Sequence, residues 1–550
     1  MKEKDIEYIL QQHNKFWERL RPELSRYKNV YQCNFWNENR ILNFGFTDQM
    51  ISIQTADGYG YIESYIASLF SKNPAVVLKT GIRNRGSRDK AAAVANNFLL
   101  KARQAIENAA RLSLIYPMAF FKLIPQDDEE LFDKIIPIAV SPWDVIVDRD
   151  APAWNRGRFV GHKYYIPVAE AKERFGNKKF EPTRKEDYFQ PQPQGDLDVD
   201  GSMMKDYVQI VEFYDLVQDK LYFYCPHLSR DKKIIDESPM IPFRDVFGKP
   251  VSPIIPLYFN RVPDEPMHGY SAMKRVYDQL YEINIIRSFQ ANAIRKASRQ
   301  YIVKAGMLDE EQMAKLTSGI DGLFVEVDEE DLAGSIIPLP HSPVSPEINR
   351  YYDDVKGDLD NGSILAPFTR GESTRATASE ITALAAYTSS ELGRLARERD
   401  SAIELLAKTY LNVLSTFIED DVPAVINLDG EAVIIAPDDL KGDFDFFASD
   451  QSSTPLSEAV QKRQLLENLP TLLNLGVPQD KLLKEVVRTL NLPEDFLEAQ
   501  PQLQEAGPQG PVSAIDAPPT LAESIGGGGA SPKKIAQFLP NQGDLLGGRN

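Results

Sequence analysis

The spacing of apolar residues predicts helices at the start of the chain and strands after them. From residue 5 to about 120, apolar positions such as Ile6, Ile9 and Leu10 recur at helical steps. Beyond Pro117, from about 118 to 260, short β-rich runs such as AFFKLI, KIIPIAV and VQIVEFYDLV alternate with Pro, Gly and Asp. The polar insert PQPQGDLDVDGSMMKD among these runs predicts a loop. The predicted fold class is α+β, with a modest mixed or antiparallel sheet.

Helical periodicity returns at Gly269. Residues 270–299 contain no Gly or Pro and carry one apolar stripe, made of Met273, Val276, Leu280, Ile283, Ile286, Gln290 and Ile294. A short strand-rich unit follows, and then the acidic helix PEINRYYDDVKGDLD. NGSILAPFTRGESTR, at residues 361–375, predicts an exposed loop. A second stripe from about Thr377 to Glu419 predicts a very long helix, with Gly393 as the candidate position for a kink.

The last part of the chain contains predicted strands and helices, followed by a tail of different composition. VPAVINLDGEAVIIAP predicts strands, and residues 452–499 predict a pair of helices that starts at the N-cap candidates Thr454 and Ser457. Beyond about Gln500, Pro, Gly and Gln dominate and GGGG occurs at 526–529. Such a segment cannot bury enough apolar surface to offset the entropy cost of ordering it, so we predict a disordered tail.

The composition restricts the possible functions. The 550 residues carry 62 basic and 80 acidic side chains, a net charge of -18, which opposes a simple electrostatic grip on DNA. The two cysteines, Cys33 and Cys225, are too few and too distant for a disulfide framework, as is typical of a reducing compartment. Nowhere do 18 apolar residues follow one another without a charge, so we expect no membrane span.

Motifs that carry chemistry are sparse. There is no phosphate-binding G-x-x-x-x-G-K-[ST] motif, and the histidines are scattered without metal-ligand spacing, at positions His13, His162, His227, His268 and His341. We therefore expect no cofactor. One acidic constellation, Asp144, Asp148 and Asp150 in PWDVIVDRDAPAW, has a spacing that would place its carboxylates on one face of a strand, where they could hold Mg²⁺ as in nucleases. A strand that runs into an Asp-rich turn is the commoner reading.

The order of the predicted parts is distinctive. A long helix, a small strand-rich module, a second helix, a loop and a very long helix suggest a stalk that carries the module away from the body. This order resembles the portal protein, or head-to-tail connector, of tailed bacteriophages, over residues 5 to 497. Four segments carry the resemblance in the expected order: NVYQCNFWNENR, PWDVIVD, GYSAMKRVYDQLYEINIIRSFQ and RATASEITALAAYTSSELGRLARERD.

The resemblance implies an assignment of parts. The wing would comprise residues 1–268 and 376–450, the first stem helix 269–298, the clip 299–344, the second stem helix 345–360, the tunnel loop 361–375, the crown 451–499 and the tail 500–550.

The resemblance also implies a function without catalysis. Portal subunits form a ring, usually of twelve, at one capsid vertex, through which double-stranded DNA is packaged and ejected without sequence specificity. The implied partners are the major capsid protein, the large subunit of the terminase motor and the head-tail adaptor proteins, with a scaffolding protein as a further candidate. The implied location is the virion, after assembly in the host cytoplasm. The alternatives are the metal-dependent nuclease and another structural role, such as that of a minor head or adaptor protein.

Charge by position suggests contacts within such a ring. Residues 271–299 carry six basic and two acidic side chains, a balance of +4, whereas residues 346–360 carry two basic and five acidic ones, a balance of -3. We predict contacts between neighbouring subunits through these stem residues: Lys274, Arg275, Arg287, Arg295, Lys296, Arg350, Asp353 and Asp354. Solvated faces, with each surface pair worth about 0–1 kcal/mol, are the alternative.

Two further sets of residues follow from the resemblance. Residues of the predicted tunnel loop would touch the DNA backbone transiently, namely Phe368, Thr369, Arg370 and Arg375. Gly362 and Gly371 would give this loop its flexibility. The predicted clip carries a docking surface made of Lys304, Lys315, Asp328, Glu329 and Glu330.

Overall fold

The computed structural model describes most of the chain as far as Ala448. The described ranges are 1–37, 51–78, 85–126, 133–176, 178–183, 188–189, 207–228, 232–245, 247–297, 301–303, 310–311, 314, 336–338, 346–362, 378–418, 422–425, 432–440 and 444–448. The chain divides into two compact units, Met1–Gln464 and Leu465–Asn550. The polar insert, residues 363–375 of the tunnel loop, the crown and the tail lie outside the described residues.

Most helices form where the sequence predicts them, but the helix Val168–Phe175 lies in the segment predicted as strands. The helices are α1 (Glu3–Tyr31), α2 (Asp57–Leu69), α3 (Arg85–Lys101), α4 (Arg103–Ile115), α5 (Val168–Phe175), α6 (Tyr277–Ala297), α7 (Pro346–Gly362) and α8 (Ala378–Phe417). The helix α4 ends two residues before Pro117, because a proline lacks the amide hydrogen that a helix interior needs. None of the helices in these ranges combines the length and the apolar composition that a membrane crossing requires.

The strands are short and pair antiparallel. They are β1 (Val76–Leu78), β2 (Ala119–Pro125), β3 (Ile135–Val140), β4 (Val145–Val147), β5 (Phe159–Pro167), β6 (Tyr207–Asp215), β7 (Lys220–Tyr224), β8 (Ile234–Ser238), β9 (Ile254–Leu257), β10 (Arg261–Val262), β11 (Glu265–Gly269), β12 (Tyr301–Val303), β13 (Ile336–Pro338), β14 (Val422–Val425), β15 (Ala432–Ile435) and β16 (Phe446–Ala448).

Two sheets form the centre of the body. One has five strands in the order β4-β5-β6-β7-β8, and the other has three in the order β3-β2-β9. The remaining described strands pair two by two, and every described pair is antiparallel. The predicted α+β class is confirmed, and its sheets are antiparallel rather than mixed.

The long helix α8 runs through the core. It is continuous over 40 residues, about 60 Å, and passes Gly393 without a break. Along its predicted stripe, Leu392, Leu395, Ile403, Leu406, Tyr410 and Val413 are buried. Phe98 of α3 stacks on Tyr410 with ring centres 3.7 Å apart. The stripe ends earlier than predicted, because Phe417 is 40% exposed.

A buried charged cluster joins the two sheets. The ammonium of Lys122, on β2, lies 2.5 Å from a carboxylate oxygen of Glu212 on β6 and 3.1 Å from Nδ1 of His162 on β5. The hydroxyl of Tyr214 donates to the same carboxylate. Burial alone would raise the pKa of Glu212, but Lys122 and Tyr214 outweigh it and lower this pKa. Burial, and then Lys122, lowers the pKa of His162 and keeps its ring neutral.

Breaking this cluster on one side should destabilise the fold. We expect Glu212→Leu to lower the free energy of unfolding by about 3–5 kcal/mol, since it leaves the Lys122 ammonium buried without its carboxylate. The double variant Lys122→Met/Glu212→Leu should recover most of that loss, because it removes both charges. Denaturant unfolding would measure all of these variants. The control is Glu7→Leu, which breaks the half-buried Lys233–Glu7 pair, more exposed than Lys122–Glu212, and should cost about 0–1 kcal/mol. Equal losses at Glu7 and Glu212 would contradict the prediction.

Candidate functional site

The helices α6 and α7 pack side by side in opposite directions, and together they are called the stalk. Gln290, near the end of α6, donates to Asn349, near the start of α7, at 3.0 Å. A Cβ on Gly362, at the other end of α7, would lie 3.4 Å from Val276, just before α6. With 21 and 17 residues, the two helices are about 32 and 26 Å long. The chain thus leaves along one helix and returns along the other.

The two ends of the segment between the stalk helices are joined by a two-stranded sheet. The strand β12 follows α6 after three residues, and β13 precedes α7. These strands pair antiparallel, with Tyr301 opposite Pro338 and Val303 opposite Ile336. Residues 304–335 therefore begin and end at the same two-stranded sheet, at the end of α6 and the start of α7. This is the position of the predicted clip.

The base of the stalk is a tight junction with the body. A Cβ on Gly269 would lie 2.1 Å from the carbonyl oxygen of Pro117 and 2.7 Å from that of Asn260, so only glycine fits there. The Ser271 hydroxyl donates to the carbonyl of Ile115 at 2.6 Å and accepts from the amide of Met273 at 3.0 Å.

This junction corrects the predicted start of the first stem helix. Residues 269–298 were predicted as one helix, but Gly269 is the last residue of β11 and Ala272–Arg275 forms a separate 3-10 turn capped by Ser271. The α-helix starts only at Tyr277. The backbone of Val276, with φ -124° and ψ 0°, separates the two.

An extended segment, residues 51–55, is bound along α6 and is called the strap. The amides of Ile51, Ile53 and Thr55 donate to side-chain oxygens of α6, each at 2.8 Å. The acceptors are Asn292, Ser288 and Asn284, and all three are buried. Asn292 and Ser288 also donate back to the carbonyls of Ile51 and Ile53, at 2.6 and 3.1 Å. The face of the helix thus supplies the hydrogen bonds that a neighbouring β-strand would supply.

The spacing explains why a helix can pair with a strand in this way. Four helical residues rise about 6.0 Å, and two residues of an extended strand span about 6.7 Å. Polar side chains at positions i, i+4 and i+8 therefore meet alternate amides of the strap. Sequence reasoning missed these residues, although the signal was available as the series Asn284, Ser288 and Asn292 beside the apolar stripe.

The predicted apolar stripe of the first stem helix is confirmed only in part. Val276, Leu280, Ile283 and Ile286 are buried, but Ile294 is 64% exposed. The stripe therefore stops packing before the end of α6.

Removing one amide of this ladder should loosen the strap. We expect Asn292→Ala to lower the free energy of unfolding by about 1–3 kcal/mol, because it leaves the amide and carbonyl of Ile51 without these partners. Hydrogen exchange at Ile51 and Ile53 should accelerate, as mass spectrometry would measure. The matched control, Gln290→Ala, deletes an amide of the same helix that bonds to the exposed Asn349 and should change stability by about 0.5 kcal/mol or less.

A second control uses the strap itself. Proline at Ile53 removes an amide that Ser288 binds. Proline at Ser52 removes the amide between the two that Asn292 and Ser288 bind, and alternation along an extended chain directs that amide away from α6. Ser52→Pro should therefore be tolerated better than Ile53→Pro, and equal losses would contradict backbone recognition by the ladder.

A groove of about 500 Å³ runs between the strap and α7, along α6. Ile53, Ala291, Ile294 and Tyr352 supply apolar surface, and Arg287 and Asp353 supply charges. The Arg287 guanidinium lies over the Tyr352 ring, 5.8 Å from its centre. The predicted stem residues Arg287 and Asp353 thus line the same groove from facing helices.

The other predicted stem residues have different surroundings. Lys274 lies 3.6 Å from Glu23 of α1, and Arg275 donates to the hydroxyl of Tyr270 at 2.9 Å. Lys274 therefore contacts the body, and Arg275 contacts the residue next to Gly269 in the same segment. Arg350, Asp353 and Asp354 are exposed on α7. Arg295 and Lys296 belong to α6, but their side chains lie outside the described residues.

The remaining predicted site residues are not described by the structure, apart from Gly362. This glycine ends α7 and does not lie in a loop. Outside the described residues lie Phe368, Thr369, Arg370, Gly371, Arg375, Lys304, Lys315, Asp328, Glu329 and Glu330.

The three aspartates of the nuclease alternative are not grouped by strand periodicity, since none of them lies in β4. Asp148 is 2% exposed and accepts from Nε and Nη2 of Arg158, both at 2.7 Å. These bonds hold the pKa of Asp148 below its ordinary value. Asp144 ends a 3-10 turn and Asp150 is 89% exposed. Across the described ranges, no group of three or more His, Cys, Asp or Glu is placed to hold a metal ion.

Comparison with known proteins gives a distant structural likeness. No protein-family model matches the chain, and no curated protein matches it. Among solved structures, the chain is similar to one described as "Neck of empty GTA particle computed with C6 symmetry". The identity is 11%, the match covers 80% of this chain and 93% of the other, and the TM-score is 0.37. At this identity and score, the likeness assigns no function.

Proposed function

We propose that the chain is a portal-type subunit, which forms a ring of the family's usual twelve copies around a channel for double-stranded DNA. The observation that carries the proposal is the stalk: two antiparallel helices bracket a module closed by β12 and β13, and α8 follows after a loop-length segment. A module held away from the body in this manner suits docking of a packaging motor and later of an adaptor. The work is mechanical, with ATP hydrolysis supplied by a separate motor.

The charge of the subunit suits passage of DNA better than retention. Twelve copies at -18 each give -216, and such a ring would not grip phosphates along its whole length. Six to ten phosphate contacts already make binding strong and dependent on salt. A few basic side chains in the tunnel loop, with Arg370 first and Arg375 second, would touch the backbone only transiently.

The exposed acids of α7 are proposed to contact a neighbouring subunit. Asp353 and Asp354 are exposed, whereas Lys274 and Arg275 already have partners within their own chain. The basic residues proposed to pair with these acids are therefore Arg287, Arg295 and Lys296. The side chains of Arg295 and Lys296 lie outside the described residues. Each such ion pair would contribute little free energy on its own. The same pair repeated around a ring would stabilise the ring by the sum of these contributions.

Ring formation is the direct test of the function. Negative-stain electron microscopy of the purified chain should show rings with a central channel, and the number of subunits would follow from their symmetry. A chain that stays monomeric over a wide range of concentrations would overturn the proposal.

Charge reversal tests the proposed stem contact. Asp353→Lys/Asp354→Lys should reduce the yield of rings at physiological salt, as size-exclusion chromatography with light scattering would measure. The control Glu170→Lys/Glu173→Lys makes the same change of charge at exposed positions of α5 and should leave the yield unchanged. An unchanged yield in the Asp353/Asp354 variant would contradict the contact.

Arg370 tests the channel role separately. Arg370→Glu should leave rings intact and reduce the length of DNA retained in particles, because it replaces attraction to phosphate with repulsion. Arg370→Lys, which keeps the charge, should retain the DNA. An unchanged packaged length in the Glu variant would count against this role.

A further inference from the structure

The buried cluster of Lys122, His162 and Glu212 connects the two central sheets and is called the sheet joint. Lys122 belongs to β2 of the three-stranded sheet, whereas His162 and Glu212 are direct partners on β5 and β6 of the five-stranded sheet. Lys122 and His162 are each 7% exposed. Since an ammonium can only donate, Nδ1 of His162 must accept the hydrogen bond between them. The imidazole is therefore neutral, because both nitrogens of a protonated ring are donors.

The three-stranded sheet of the joint also carries the base of the stalk. Pro117 lies two residues before β2, and Asn260 lies three residues after β9. The two strands are paired, with Ala119 opposite Leu257. The carbonyls of Pro117 and Asn260 are the ones that enclose Gly269. The sheet joint therefore ties the sheet that holds the stalk base to the five-stranded sheet.

The groups around His162 oppose a proton on its ring. The titratable side chains of the joint and its surroundings are Lys122 of β2, Lys163 and Tyr164 of β5, Glu212 and Tyr214 of β6, and Arg174 of α5. Burial lowers the pKa of His162 most, and the charges of Lys122 and Lys163 lower it further. The carboxylate of Glu212 is already bound by Lys122 and by the hydroxyl of Tyr214.

Protonation of His162 would break the joint. A proton on Nδ1 removes the acceptor that Lys122 uses and leaves two cations whose nitrogens are 3.1 Å apart. The single carboxylate of Glu212 cannot pair fully with both, and a buried charge without a partner is costly. The protonated ring is therefore stable only where it reaches water, and this requires the two sheets to separate at the joint.

We propose that the sheet joint is an acid-sensitive contact, which releases the three-stranded sheet from the five-stranded sheet when His162 takes up a proton. The joint is intact above about pH 6.5, the ordinary pKa of histidine. Each pH unit below that value should favour release about tenfold, since the released ring binds one proton that the joint excludes. Glu212 stays ionised there, because Lys122 and Tyr214 outweigh burial and lower its pKa. The inference does not depend on ring formation.

Replacing His162 by asparagine tests the titration. The amide oxygen of His162→Asn can accept from Lys122 but binds no proton. Between about pH 7 and pH 5, the unfolding equilibrium constant of the wild-type chain should rise more steeply than that of the variant, by up to about tenfold per pH unit, in denaturant unfolding. His13 and His268, whose pKa values burial lowers to about 3 and about 4, titrate in both proteins, so the difference reports His162. The control His227→Asn changes an exposed histidine and should leave the pH dependence unaltered.

Distances between spin labels test the release itself in the full chain. In a Cys33→Ser background, which removes the exposed native thiol, Ile136→Cys on β3 and Asp236→Cys on β8 place one label on each sheet at exposed positions. Labelled chain would be diluted with unlabelled chain, so that only distances within one copy are measured. Pulsed electron paramagnetic resonance should give a longer and broader distribution at about pH 5 than above the ordinary pKa of histidine. The same labels with His162→Asn should give one distribution at both pH values.

Each outcome decides the inference. An equal pH dependence of unfolding in the wild-type chain and in His162→Asn would overturn the role of His162. A label distance that stays constant in acid until the whole chain unfolds would overturn the release, and this measurement holds even where His162→Asn fails to fold. Lengthening that persists in the labelled His162→Asn chain would assign the acid response to another group and would also overturn the inference.

Discussion

The close approach of Gly269 to two backbone carbonyls is the constraint on which the stalk depends. No side chain fits between this residue and the carbonyls of Pro117 and Asn260, and two residues later Ser271 binds both the end of α4 and the first turn of the stalk. The start of α6 is therefore held by these backbone contacts, while the packing of Leu280, Ile283 and Ile286 holds the helix beyond it. Because α6 is about 32 Å long, a small rotation at this turn would displace its far end by several times the displacement at its base.

Three supports act on α6 from different sides. The junction fixes its start, the strap binds the face of Asn284, Ser288 and Asn292, and α7 packs along another face. The strap in turn is joined to the segment after α1, because Trp36 donates to the carbonyl of Ile53 and Gln54 accepts from the amide of Phe35. A force on the distal module would therefore reach α1 and α4 through hydrogen bonds as well as through apolar packing.

Local patterns predicted most of the helices and strands, but they missed α5 and β1, and they could not predict long-range contacts. Leu280, Ile283 and Ile286 lie in the core because helical periodicity already places them on one face. The start of α6 was misplaced because the 3-10 turn and the α-helix share a similar apolar spacing over so few residues, and no Gly or Pro after Gly269 marks the boundary.

The Lys122–Glu212 pair could not be predicted, since 90 positions separate its partners and only the packing of two sheets brings them together. Of the predicted stem residues, six lie on α6 or α7, but Lys274 and Arg275 lie in the 3-10 turn before α6. The body contact of Lys274 depends on α1, which periodicity does not position.

The hydrogen bonds that hold the strap use side chains of α6 but only main-chain groups of the strap. Since α6 recognises the main chain of residues 51–55 and every non-proline residue carries the same amide and carbonyl, the sequence of the strap can drift while Asn284, Ser288 and Asn292 cannot. Relatives of this chain would then differ freely in the strap and keep a polar ladder on the helix. The strap is for the same reason a position where a fluorescent or spin label could report on the stalk without altering the contact that holds it.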